Sequence, residues 1–124
     1  WKLKTLNYDA RFIDLATQVN MEMPQYVVTK VAAALEGEGR SLKGSRVLVL
    51  GVAYKADISD TRESPSLELI SRLRGFGATV VYNDPYVPAI EVDGVAMQST
   101  ALTDSELGSA DCVLIATNHS SYEW

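Results

Sequence analysis

Lys55 and Arg62 share one polar loop, with Tyr54 beside the lysine and Asp57, Asp60 and Glu63 among them. Just downstream, Ser64-Pro65 reads as a helix start, serine as N-cap and proline at the first helical position. Two cations beside a helix N-terminus, where backbone N–H donors lack partners, suit an anion such as a phosphate or carboxylate. The acids supply the competing arrangement: they can neutralise the same cations in a purely structural network, and a loop lysine is most often a solvated charge. Asp84, in Asn83-Asp84-Pro85, falls where a ribose-binding acid would stand, but Asp-Pro is also an ordinary turn, which is the favoured reading. Cys112 lies inside a predicted strand, where a thiol is inert because a reactive thiolate needs electropositive, accessible surroundings. His119 is the one histidine and has no second His or Cys at metal-ligand spacing, so zinc is not expected; a ligand contact or a capping role is left to it.

These groups need a scaffold, and the pattern around them gives one. Val47 to Leu50 is a short apolar run that suits a fully buried strand, broken by Gly51 before the charged loop. Leu67, Ile70 and Leu73 form a helical stripe, with Arg72 and Arg74 at the C-terminal end of the dipole. Gly75 and Gly77 end this helix, with Phe76 placed to pack back on its last turn. Thr79 to Tyr82 reads as a second strand, residues 92 to 97 as a weak extended segment, and Thr103-Asp-Ser-Glu106 as a capping box opening a short helix that Gly108 ends. Cys112 to Ala116 is the last buried strand. Strand, helix and strand in alternation imply βαβ crossovers: a Rossmann-like α/β fold with a parallel sheet flanked by helices. Ligands of such sheets collect beyond the carboxyl ends of the strands, where Lys55, Asp84 and His119 all fall.

Upstream, Phe12, Ala16, Val19, Met23, Val27, Val31 and Ala34 recur at helical spacing and predict a long amphipathic helix from Ala10 to near Leu35. Pro24 must kink it or split it. Its apolar stripe faces either the sheet or a partner chain. Glu36 to Ser45 is the polar connector, dividing the chain into a connecting or dimerisation segment, 1–40, and a ligand-binding unit, 41–124.

Composition narrows the function. The 124 residues carry a net charge of −5 with no Lys/Arg block, which argues against a nucleic-acid surface. No apolar run approaches membrane-spanning length, and a single cysteine excludes an internal disulfide, compatible with the cytoplasm. The loop after the first buried strand holds Gly51 alone rather than G-x-G-x-x-G, so NAD in the usual dinucleotide mode is not expected here. The start at Trp1 rather than Met suggests a piece of something longer or a processed product.

Gly51-Val-Ala-Tyr-Lys-Ala-Asp-Ile-Ser-Asp-Thr-Arg-Glu-Ser-Pro65 resembles the G-x-[AS]-[FY]-K-x-[DN]-x-x-D-x-R-x-S-P motif of the UDP-glucose/GDP-mannose dehydrogenase family. The likeness continues through Ser66-Leu-Glu68, Tyr82-Asn-Asp-Pro-Tyr86 and Ala116-Thr-Asn-His119; Arg11 to Ala16 and Met23 to Val28 resemble the helix joining the family's central region to its C-terminal domain. The resemblance implies an NAD-dependent nucleotide-sugar 6-dehydrogenase that oxidises a sugar C6 alcohol to a carboxylate in two hydride transfers, through a cysteine-bound intermediate. It implies that the cysteine and the glycine turn for NAD lie upstream, that Cys112 is not that nucleophile, and that this chain is a C-terminal nucleotide-sugar-binding domain, inactive alone. Carried over by position, Tyr54 and Lys55 contact the UDP-sugar, Arg62 reaches NAD held by the other domain, and the complete enzyme is a cytoplasmic homodimer. Trp1-Lys2 and Thr117-Asn-His119 look more like members acting on UDP-N-acetylhexosamines. Two other classes remain on sequence: a non-catalytic nucleotide-binding or dimerisation module, and the NAD domain of an unrelated reductase.

Overall fold

The computed structural model describes the backbone of Arg11–Asp14 and residues 24–53, 57, 61, 64–117 and 119–122. In chain order the elements are β1 (Arg11–Asp14), α1 (Pro24–Glu36), β2 (Arg46–Leu50), α2 (Pro65–Gly75), β3 (Thr79–Asn83), β4 (Ala89–Val92), β5 (Val95–Gln98), α3 (Asp104–Ser109) and β6 (Cys112–Ile115).

Four strands form a parallel sheet in the order β1-β6-β2-β3. β2 and β6 run side by side, Val47 opposite Cys112 and Leu50 opposite Ile115, and from Val47 to Leu50 and Cys112 to Ile115 every residue is buried. That is why both read as unbroken apolar runs: a parallel sheet is covered on both faces, so its strands show no polar alternation. Side chains nevertheless alternate between layers. Val47, Val49, Cys112 and Leu114 join Val27, Val31, Leu35, Leu69, Ile70 and Leu73 under α1 and α2. Leu48, Leu50, Val113 and Ile115 join Leu107, Ala110 and Tyr122 on the opposite face.

Helices α2 and α3 are set by their ends. Ser64 takes an extended conformation and accepts from Ser66 N at 3.3 Å, with Pro65 opening α2, as the sequence predicts. At the other end Gly77 N donates to the Arg74 carbonyl and Ala78 N to that of Leu73, with Gly77 at a φ of +93°; this is a Schellman closure. Phe76 does not pack back on the last turn as expected. It is 53% exposed and lines a groove with Gln25, Val28, Thr29 and Ala32 of α1. Thr103 caps α3 by accepting from Glu106 N at 3.2 Å, but Glu106 turns its carboxylate to Arg46, 2.8 Å away, instead of completing the box.

The upstream region departs from expectation. A helix precedes the central strand, and Pro24 marks its articulation by standing at its first position, where the missing N–H costs nothing. The part expected to continue the helix backwards, Arg11 to Asp14, is instead a strand paired in parallel with β6. Four residues are too few for a 3.6-residue period to exclude extension. An unpaired β6 edge offers hydrogen bonds that only a strand can take. Residues 15–23 lie outside the described residues. Val27, Val31 and Leu35 of the stripe are buried in this chain's own core against the sheet, while the side chains of Phe12, Ala16, Val19 and Met23 lie outside the described residues. The weak extended segment is a two-stranded antiparallel hairpin, β4-β5, turned by Asp93 and Gly94 at φ +53° and +76°. Positive φ at both residues is what a type I′ hairpin turn requires.

Candidate functional site

From β2 the chain leads to β3 on one side, and β6 lies on the other, so β2 and β6 flank the position where ligands of doubly wound sheets collect. The carboxyl edge there is bound together by short bonds. Gly51 N donates to the Asn83 carbonyl at 2.8 Å, and the Leu50 carbonyl accepts from Ala116 N and Thr117 N. Val52 N and Ala53 N both donate to Oδ2 of Asp84, at 2.8 and 3.0 Å. The carbonyls of the same two residues accept from Ser64 Oγ (2.7 Å) and Thr117 Oγ1 (2.8 Å).

In a dinucleotide fold the amides after the first strand approach a pyrophosphate. Here a buried carboxylate from the end of β3 takes them. Asp84 is 2% exposed, and its other oxygen accepts from Tyr86 N at 2.8 Å. It is therefore an internal anion that pins the root of the loop, in keeping with the turn reading and leaving it unavailable to a ribose. Among the described residues of the turn, the N–H groups of Gly51, Val52 and Ala53 are thus all bonded within the chain, to the Asn83 carbonyl and to Asp84.

His119 is the second buried group at this edge. Asp57 N donates to its Nδ1 at 2.7 Å, and its Nε2 lies 2.9 Å from Asp84 Oδ2. A backbone N–H can only donate, so Nδ1 carries the lone pair and the ring proton sits on Nε2, donated to Asp84. The rings of Tyr86 and Tyr122 flank it at 4.8 and 5.8 Å between centroids. With both nitrogens engaged, this imidazole offers neither lone pair nor proton to a ligand. Among the described residues no group of three or more His, Cys, Asp or Glu could hold a metal.

Asp57 closes the network on the solvent side. Its φ is +64°, the left-handed region that aspartate tolerates better than most residues. Its carboxylate accepts from the hydroxyl and backbone N–H of Ser120. Those two bonds, the hydroxyl's first, hold its carboxyl below the usual aspartate range. Burial pushes the Tyr82 phenol up to about 12, with the nearby Asp84 charge acting in the same direction, while its hydroxyl donates to the Val87 carbonyl. Burial likewise raises the Cys112 thiol to about 12, with Asp111 adding to the shift, so this cysteine is the inert core residue expected of it.

Asp84 and His119 thus meet at one edge as the topology predicts. Tyr54, Lys55 and Arg62, with Asp60 and Glu63, lie outside the described residues. Sequence reading considered Asp57 only as a partner of the loop cations and gave Thr117 and Ser120 no bonding role, because their observed partners stand more than sixty positions away.

Known proteins share this chain's sequence and fold. Residues 48–124 match the UDP-glucose/GDP-mannose dehydrogenase family, UDP binding domain. The UDP-N-acetyl-D-mannosamine dehydrogenase of Methanococcus maripaludis is 30% identical over 99% of this chain, and the UDP-glucose 6-dehydrogenase of Rickettsia bellii 32% identical over 94%. The chain spans 27% of the length of each. The crystal structure of NDP-N-acetyl-D-galactosaminuronic acid dehydrogenase from Methanosarcina mazei superposes with a TM-score of 0.67 at 33% identity, over 81% of this chain and 20% of that one. The chain therefore belongs to the UDP-glucose/GDP-mannose dehydrogenase family of NAD-dependent nucleotide-sugar dehydrogenases, in which it covers the UDP-binding domain.

Proposed function

We propose that this chain is the nucleotide-sugar-binding domain of a dehydrogenase that oxidises the C6 alcohol of a UDP-sugar to a uronic acid in two NAD-dependent steps. The match of 48–124 to a UDP-binding domain carries the reading, because it begins in β2 and takes in the whole loop at the sheet's switch point. The geometry adds a reason for the loop's cations. Asp84 occupies the amides of Val52 and Ala53, which leaves side-chain cations of the loop as the natural partners of a phosphate at this edge. Lys55 supplies that charge, Tyr54 lies against the nucleotide sugar, and Arg62 reaches towards NAD. NAD accepts the hydrides when bound by another part of the polypeptide; the lone Gly51 after β2 and the amides of Val52 and Ala53 taken by Asp84 support that division. Cys112, buried and with its thiol pushed up to about 12, is no nucleophile, so the covalent step belongs elsewhere too.

Residues 1–40 connect this unit to the preceding part of a longer polypeptide, and 41–124 bind the nucleotide sugar. The names of several relatives favour a UDP-N-acetylhexosamine as substrate. The complete polypeptide works in the cytoplasm as a homodimer. The exposed side of α1, with Tyr26 50% exposed and the groove beside Phe76, is the surface this chain offers to it. Calorimetric titration of UDP, UDP-glucose, a UDP-N-acetylhexosamine and NAD into the full polypeptide and into this chain tests the reading. Uridine nucleotides should bind both, and NAD only the full polypeptide. NAD binding to this chain without uridine nucleotides would overturn it.

A further inference from the structure

The buried contacts around His119 point beyond this reading while resting on it. The geometry points to Asp57, His119 and Asp84 acting as a latch that positions the loop after β2 for its ligand. The loop leaves β2 at Gly51 and enters α2 at Ser64. Its root is fixed by Asp84 through Val52 and Ala53, and its far end by Ser64. Between these anchors, among the described residues, Asp57 is a further point of attachment. Asp57 donates its backbone N–H to His119 and receives two bonds from Ser120, tying the middle of the loop to the segment after β6.

Three features make this more than a turn. His119 is 1% exposed, so its two bonds are shielded from competing water. Asp84 Oδ2 is shared by the loop root and by His119 Nε2, so the imidazole is held in the tautomer whose Nδ1 accepts from Asp57. Asp57 itself has a φ of +64°, a conformation that the surrounding bonds must sustain. Lys55 stands two positions before Asp57 in the chain and Arg62 five after it. Fixing Asp57 shortens the chain free to move on either side of it, so part of the ordering cost of binding is met before the ligand arrives. Asp57 and His119 are positioning residues: their effect on the ligand passes through the loop.

Binding of UDP to the full polypeptide tests this, with amide hydrogen exchange across the loop as a second readout. His119→Phe keeps the ring volume and removes both bonds; Asp57→Gly removes the carboxylate without steric strain at positive φ; Asp57→Asn retains acceptor and donor for Ser120. In His119→Phe and Asp57→Gly the Kd for UDP should rise on the order of 10- to 100-fold, as for other outer-shell positioning groups. Exchange of the loop amides should quicken, and Asp57→Asn should restore most of both. Asp57 lies at the surface, so its variants keep the test alive if His119→Phe fails to fold. Unchanged affinity in folded variants, with wild-type protein binding UDP, would overturn the latch and leave the proposed function standing. Absence of UDP binding by wild-type protein would overturn the function; unaltered loop exchange in the variants would then overturn the latch as well.

Discussion

A Cβ on Gly51 would fall 2.6 Å from Cβ of Thr117 and closer still to its carbonyl oxygen, and Gly51 has a φ of +86°. The single glycine of the loop therefore serves the close approach of β2 to the segment after β6, and it needs no G-x-G-x-x-G around it. Gly51→Ala meets two penalties, roughly 1–2 kcal/mol for the left-handed backbone and roughly 1–3 kcal/mol for overpacking against backbone. Urea denaturation should show a loss of about 3 kcal/mol, summing these terms, or failure to fold. A loss under about 1 kcal/mol would mean that the two segments part easily.

Asp84 gives the next expectation. Asp84→Ala would strand the amides of Val52 and Ala53 and the Nε2 proton of His119. Each unsatisfied buried donor costs about 1–3 kcal/mol, so a loss of about 3 kcal/mol or more should appear on denaturation. Asp84→Asn keeps one acceptor and should lose less. Equal stability of Asp84→Ala and wild type would remove the internal-anion account of the turn.

The acid limb follows from Asp57. Its pKa is lowered from 3.8 by the bonds from Ser120, so the ionised form is favoured in the folded protein. A depressed carboxylate stabilises above its unfolded pKa, and that stabilisation is lost as pH falls through the lower folded value. Loop amide protection should hold steady down to 3.8 and fall below it, and Asp57→Gly should show no such step. An acid transition unaltered by that substitution would assign the step to another carboxylate.

The parts of this molecule that could be read from sequence are those fixed by neighbours in the chain. The runs Val47–Leu50 and Cys112–Ile115 could only be buried strands, and Ser64-Pro65 could only open a helix. What escaped depends on distant pairing. Arg11–Asp14 is extended because β6 has an edge to fill, which no local period records. Asp84 looked like a turn residue or a ribose ligand because its true partners, Val52, Ala53 and His119, lie more than thirty positions away on either side. The Asp93-Gly94 hairpin is the exception, since its turn signal was local and simply outweighed by the weak strands around it.

Cys112 allows a negative test. With its thiol raised to about 12 by burial, it should resist alkylation at about pH 8 in the native protein and react once unfolded. Rapid labelling of native protein would show that β6 opens far more readily than its buried position allows.

Lys55 and Arg62 separate the two halves of the proposed function. Lys55→Ala should weaken UDP-sugar binding by about tenfold or more, because a charge-assisted contact to phosphate is worth about 1.5–3 kcal/mol. Raising the salt should narrow that gap to the degree that the site is solvent-exposed. Arg62→Ala, in the full polypeptide, should raise the KM for NAD while leaving UDP affinity of the isolated domain unchanged. The opposite pairing, NAD affected by Lys55 and UDP by Arg62, would reverse the assignment. No effect from either would return both cations to the structural network with Asp57, Asp60 and Glu63 that the sequence also allows.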